Sequence, residues 1–176
     1  MNAFVIDTNV LLVANGRHAG ISAECQQQCI ERLLQIQRRG VVVIDDAYRV
    51  LREYRLKTSP NQPKGPGDVF LKWVLQNQAN LKRIHQVTLS EISPDIFVEF
   101  PDPILQAQFD ASDRKFAAIA NAHTDKPPVL QAADCKWLRW WKKLGVHGGV
   151  GDFLCPADAK ACYTVKYPVG PEPEVP

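Results

Sequence analysis

The chain has 176 residues, 45% of them hydrophobic and 23% charged, with a formal net charge of +2. That is enough chain for one domain with a full core, since about 150 residues bury roughly 70% of their unfolded surface. The composition is that of a soluble globular protein and no apolar run approaches the roughly 18 residues of a membrane span, while so small a charge neither demands nor excludes nucleic acid.

The first predicted element is an apolar strand at Ala3 to Ile6, ending on Asp7 and running straight into a helix start at Thr8-Asn9-Val10-Leu11-Leu12. A carboxylate at the C-terminal edge of a first parallel strand points into the crevice where open α/β sheets place ligands. Asp7 suits a hard cation, a phosphate-transfer site or a simple helix cap, and Thr8 and Asn9 offer short polar side chains to hold it or to cap the helix. An amphipathic stretch follows from about Ile21 to Arg38, with Ile30, Leu33, Leu34 and Ile36 as its apolar stripe. Gly40 ends it, Val41 to Ile44 reads as a fully buried second strand, and Asp45 or Asp46 caps a helix through Val50, Leu51 and Tyr54.

Ser59 to Asp68 is polar and broken by Pro and Gly, and reads as a long surface connection more than as a flap gating the site. Val69 to Gln78 resumes as helix, Ile84 to Leu89 as a third strand, and helical segments run through Phe109 and from Ser112 to His123. Val129 to Ala132 is a short fourth strand, Trp137 to Leu144 a helix, and Gly151 to Leu154 a weak last strand. From Pro168 the chain holds four prolines in nine residues and cannot continue as helix or central strand. Residues 1–156 are thus expected to form the domain, with 157–176 a Pro-rich tail, extended or disordered. Alternating strands and helices define an α/β class: a three-layer α/β/α sandwich around a mainly parallel sheet of about four to five strands.

The five cysteines are Cys25, Cys29, Cys135, Cys155 and Cys162, an odd count with no Cys-x-x-Cys pair. With no leader segment in view, they predict reduced thiols in a cytoplasmic chain. Cys25 and Cys29, one helical turn apart, read as small apolar side chains on one face rather than as metal ligands. The histidines His18, His85, His123 and His147 show no zinc-type spacing and no shared site is expected of them.

Four acids fall where strands end or helices begin: Asp7, Glu53 on the helix after the second strand, Asp113 opening an Ala-rich helix, and Asp134 after the fourth strand. Like charges gathered in one crevice raise each other's pKa unless a cation compensates. Taken together they read as ligands for Mg²⁺ or Mn²⁺, hard ions that prefer oxygen and can activate a water against a phosphodiester. Taken singly, Asp113 and Asp134 also suit N-caps, and Glu53 suits a solvated pair with Arg49 at i−4.

On these residues the sequence resembles the PIN-domain nucleases, among them the toxin ribonucleases of bacterial toxin–antitoxin pairs. Val5 to Leu12 carries the likeness, supported by Leu51-Arg52-Glu53-Tyr54, by Asp113 and by Asp134, over about Ala3 to Leu154. The resemblance implies a PIN-like fold and an endoribonuclease in which Asp7, Glu53, Asp113 and Asp134 are catalytic and hold one or two Mg²⁺ or Mn²⁺ ions. It further implies that metal-bound water cleaves RNA to 5′-phosphate and 3′-hydroxyl ends, that Thr8 or Asn9 supports the first carboxylate, and that a small antitoxin and a second copy of the chain are partners. Gln131-Ala132-Ala133-Asp134 departs from the family, where Thr or Ser often precedes the final acid. Asp110 is a substitute for Asp113 that fits better in the turn before the helix.

Single-stranded or structured RNA is the expected substrate. Arg114, Lys115, Arg52 and Lys136 flank the acids and are candidate phosphate contacts. Arg49, Arg55 and Lys57 extend one basic run, while Arg139, Lys142 and Lys143 interleave with Trp137, Trp140 and Trp141 in another, a pattern suited to backbone tracking and base stacking. Trp137 and Trp141, at i and i+4, read partly as core, leaving Trp140 as the ring for stacking. The alternative to the enzyme is a catalytically inactive RNA-binding or scaffold module of the same fold. An aspartyl-phosphate phosphatase is disfavoured because Asn9 stands where a second acid belongs. A receiver-type acidic pair, Asp45-Asp46, follows the wrong strand, and no phosphate-cradling Gly-rich loop exists.

Overall fold

The computed structural model of the chain describes residues 2–149 and 151–175. β1 (Ala3–Ile6) leads into α1 (Thr8–Ala14), which begins where the Asp7 side chain accepts from the Asn9 amide. α2 (Ala23–Arg39) starts under a Ser22 cap and ends on Arg38 and Arg39, cations placed to favour the negative end of a helix. β2 (Val41–Asp45) is buried at every position, as a strand covered on both faces must be. α3 (Arg49–Lys57) follows a left-handed Tyr48, φ 58°; its first amides are satisfied from a distance by the buried Asp45, whose oxygens accept from Arg49 N at 2.9 Å and Val50 N at 3.0 Å.

α4 (Pro66–Gln76) precedes β3 (Ile84–Val87), then a small antiparallel pair, β4 (Glu91–Ser93) and β5 (Ile96–Phe97). α5 (Pro103–Gln108), a 3₁₀ turn at Ala111–Asp113 and α6 (Arg114–Ala122) lead to β6 (Val129–Gln131). A second 3₁₀ turn at Cys135–Arg139, α7 (Trp141–Val146), β7 (Gly151–Phe153) and α8 (Pro156–Lys166) complete the order.

The main sheet has five strands in the order β3-β2-β1-β6-β7, every pair parallel. α1, α2 and α4 pack on one another, whereas α6 packs against β1 and β2, giving the expected three-layer α/β/α sandwich. From β1 the chain reaches β2 on one side, and β6 lies on the other. The C-terminal ends of β1 and β6 therefore border the crevice at which open α/β sheets take ligands.

The structure departs from the sequence reading at several points. Pro66 already starts α4, so the broken loop is shorter than Ser59–Asp68 and Asp68 lies inside a helix. Its buried carboxylate accepts from Ser59 N at 2.9 Å, Lys64 N at 3.0 Å and Asn15 Nδ2 at 2.9 Å, which ties the loop down. Gly67 is required there: a Cβ would lie 2.3 Å from the Leu11 carbonyl oxygen. The β4–β5 pair was not expected, nor was α8 (Pro156–Lys166), which takes up the first half of the expected tail.

Cys25 and Cys155 form a disulfide, which corrects the expectation of reduced thiols throughout. His85 and His123 come together, rings stacked and Nδ1 2.9 Å from Nε2, although 38 residues separate them. Burial, with His85 beside it, lowers the pKa of His123. Among the described residues no helix is long and apolar enough to cross a membrane.

Candidate functional site

A buried network of amides closes the crevice floor between β1 and β6. Asp7 Oδ1 accepts from Asn9 N at 2.9 Å and from Asn9 Nδ2 at 2.7 Å, and its Oδ2 accepts from Gln131 Nε2 at 3.0 Å. Asn9 Nδ2 also donates to Gln131 Oε1 at 2.7 Å, while Asn9 Oδ1 accepts from Ala132 N at 2.7 Å. The Tyr54 hydroxyl donates to the carbonyl of Ile6, the last residue of β1. Of the two residues expected to support Asp7, Asn9 does so. Thr8 instead donates to Glu53 Oε1 at 2.5 Å.

Asp113 and Asp134 lie near enough to Asp7 for their charge to reach it, whereas Glu53 turns to Thr8 and Lys115. Burial first, then Asp113 and Asp134, push the Asp7 carboxyl up to about 8 against the pull of Asn9 and Gln131. Burial also raises Asp113 to about 6, opposed by Lys136 and aided by Asp134 and Asp110. Asp134 caps the following 3₁₀ turn by accepting from Lys136 N at 3.0 Å, so its N-cap role is real. Glu53 does not pair with Arg49, which turns to Glu91 at 2.6 Å and Asp45 at 3.3 Å.

Lysine stands beside Glu53, Asp113 and Asp134, while Asp7 is held by amides. Lys136 Nζ lies 2.5 Å from Asp110, 3.4 Å from Asp113 and 3.8 Å from Asp134. Burial works against its charge, but the three carboxylates raise its pKa well above the ordinary value. Lys115 Nζ sits 2.5 Å from Glu53 Oε2, with only 9% of its side chain exposed. Two ammonium groups therefore stand where the sequence reading placed divalent ions. Among the described residues, the one group of three or more His, Cys, Asp and Glu side chains whose ligand atoms lie within 4.8 Å of one another is Cys25, Cys29 and Cys155. Two of those are joined to each other, and the set offers sulfur rather than the oxygen that Mg²⁺ or Mn²⁺ requires.

The Mg²⁺ or Mn²⁺ cofactor is corrected on that ground: among the described residues the carboxylates do not converge as a ligand set, and three of the four have a lysine beside them. With it fall the metal-dependent ribonuclease, its toxin-type variant and the phosphodiester hydrolase chemistry, all of which depended on that ion. The candidate phosphate contacts are placed as follows. Lys115 and Lys136 face the acids. Arg114 is bonded to the carbonyls of Phe109 at 3.0 Å and Asp95 at 3.4 Å, and Arg52 is exposed.

The second basic run forms a surface of its own beyond Asp134. Trp137 is buried and meets Phe109 edge-on with ring centroids 5.1 Å apart. Trp140 is part-exposed, with the Arg139 guanidinium 5.3 Å and the Lys143 ammonium 5.1 Å from its ring centroid. Arg139 also lies 4.8 Å from the Tyr167 ring. Neither Tyr167 nor α8 was foreseen as part of this surface.

No family model, no curated protein and no solved structure matches the chain. The PIN-domain resemblance is corrected together with the metal site it implied, because among the described residues the acids do not form the ligand cluster it requires. The lysine compensation was missed: Lys136 does reach the acid two residues before it, but Lys115 pairs with Glu53, far along the chain, and not with Asp113.

Proposed function

We propose that the chain is a non-catalytic binding module that takes single-stranded RNA on the surface formed by Arg139, Trp140 and Lys143. The observation that carries this reading is the part-exposed Trp140 ring with the Arg139 guanidinium and the Lys143 ammonium over it, 5.3 and 5.1 Å from its centroid. An aromatic face stacks an unpaired base of any identity, and a base takes the place of one of these cations as that cation swings off the ring to meet a phosphate. Lys142 is exposed on the same turn, and Arg52, Arg55 and Lys57 are exposed on α3. An RNA ligand implies a cytoplasmic protein, where the Cys25–Cys155 link relies on its burial against a reducing poise.

The test is fluorescence anisotropy of a labelled oligouridine of about 12 nucleotides, within the site sizes such surfaces cover. Binding should weaken with salt, and Trp140→Ala should weaken it about tenfold or more. The oligonucleotide should stay intact with Mg²⁺ or Mn²⁺ present. No binding at low salt, or binding indifferent to Trp140→Ala, sinks the reading.

A further inference from the structure

α8 is bracketed by sulfur. Cys155 just before it is bonded to Cys25, and Cys162 within it brings its Sγ to 2.7 Å from Cys135 Sγ. A disulfide bond is about 2.05 Å long, so the second pair closes with less than about 1 Å of movement. The two thiols differ in access. Cys135 is buried, and burial first, with Cys162 and Asp134 adding, pushes its thiol up to about 12. Cys162 is part-exposed and lines a cavity of about 710 Å³ between the Ile21–Ser22 segment and α8, with His18, Lys166 and Asp158, whose carboxylate accepts from Ser22 N and Oγ, on its walls.

We propose that this cavity admits a low-molecular-weight disulfide bearing carboxylates, which oxidises Cys162 and Cys135 to a second disulfide. Lys166 supplies the cation for the carboxylates. Cys162 gives its proton to water, and its thiolate attacks one sulfur of the small disulfide. That S–S bond breaks, a mixed disulfide forms on Cys162, and the first small thiolate leaves and takes up a proton. Cys135 then loses its proton and attacks Cys162 Sγ, forming the Cys135–Cys162 bond and expelling the second small thiol. Two cysteine thiols lose two electrons and two protons, and one small disulfide gains them as two thiols. Cys29, buried and also pushed up to about 12 by burial, does not line this cavity. The order of attack follows from access: the thiol facing the cavity is modified first, and the buried neighbour resolves it.

The experiment exposes the full chain to mixtures of oxidised and reduced glutathione, blocks residual thiols, and maps peptides by mass spectrometry without reduction. The expected result is a Cys135–Cys162 cross-linked peptide that grows with the oxidised fraction. Cys135→Ser should instead accumulate a single glutathionyl adduct on Cys162, and Cys162→Ser should leave Cys135 unmodified. Lys166→Glu should slow adduct formation roughly tenfold, as loss of a charge-assisted contact does, without slowing reaction with neutral hydroxyethyl disulfide. Absence of the cross-linked peptide at every ratio overturns the proposal, as does an adduct on Cys135 in Cys162→Ser. Equal rates for Lys166→Glu and the parent with glutathione overturn the assignment of the cavity. None of these readouts involves RNA, so the proposal stands or falls apart from the RNA-binding reading.

Discussion

Asn9, in the first turn of α1, donates to Gln131 at the end of β6 at 2.7 Å across 122 residues of chain, and the backbone of Ala132 returns a bond to it at 2.7 Å. A single side chain thus fastens two central strands at the crevice while also holding Asp7. Asn9→Ala leaves Gln131 Oε1 and the Ala132 amide without partners in a buried setting, each costing about 1–3 kcal/mol. A loss of about 3 kcal/mol is expected as a lower urea midpoint at unchanged slope. A midpoint within experimental error of the parent would show that the network does not hold the strands.

The Asp7 carboxyl, raised to about 8 from 3.8, makes the fold pH-dependent in a defined direction. Between those values the folded state binds a proton that the unfolded chain has released. The stabilisation is therefore complete below about pH 4 and lost as pH rises through about 8. Asp113, raised to about 6, acts in the same sense over a narrower window. His123, whose pKa is lowered, acts oppositely: its contribution is present above about 6.5 and lost as pH falls. The melting temperature should fall between pH 5 and pH 9, and Asp7→Asn should flatten that decline. At pH 9 the variant should melt about 4 °C or more above the parent, which roughly 1–2 kcal/mol suffices to produce in a domain of this size.

Lys136 is the cation that lets Asp110, Asp113 and Asp134 share one rim. Replacing it with Met keeps much of the aliphatic stem and removes the charge. The cost should be about 1–3 kcal/mol, greatest above pH 6 where Asp113 ionises. Carboxyl carbon titration by NMR should show Asp113 rising above its parent value, because the ammonium that lowers it is gone. An unshifted Asp113 would mean that another charge compensates the cluster.

The architecture was legible because Val41 to Ile44 and Val129 to Leu130 are buried runs of β-branched and aliphatic residues, whose burial on both sheet faces leaves a plain sequence pattern. The placement of Asp7 and Asp134 was legible too, since parallel strands deliver their C-terminal residues to one edge, whereas Asp113 comes to them from the start of α6. What neutralises the acids was not. Lys115 and Lys136 are flexible side chains, and whether they turn toward solvent or a carboxylate is settled by tertiary packing. The same holds for sulfur: Cys25 meets Cys155 across 130 residues, a contact without local signature. α8 was missed because it carries little amphipathic pattern, with Ala159 its one fully buried residue.

The tail beyond α8 lies against the proposed RNA surface. Trp141 Nε1 donates to the Glu174 carbonyl at 3.0 Å, Lys142 pairs with the Glu174 carboxylate, and Lys160 pairs with Glu172 at 3.0 Å. An acidic segment on a basic, Trp-bearing turn occupies the charges that a phosphate backbone would use, so it competes with RNA for them. Glu172→Gln with Glu174→Gln should raise affinity for oligouridine roughly three- to tenfold at low salt, with the difference shrinking as salt screens the exposed pairs. Trp141 emission should change on the same substitution if the tail leaves its ring. Unchanged affinity with changed Trp141 emission would show that the tail moves but does not cover the site, leaving Trp140 and its cations as the whole of the RNA contact.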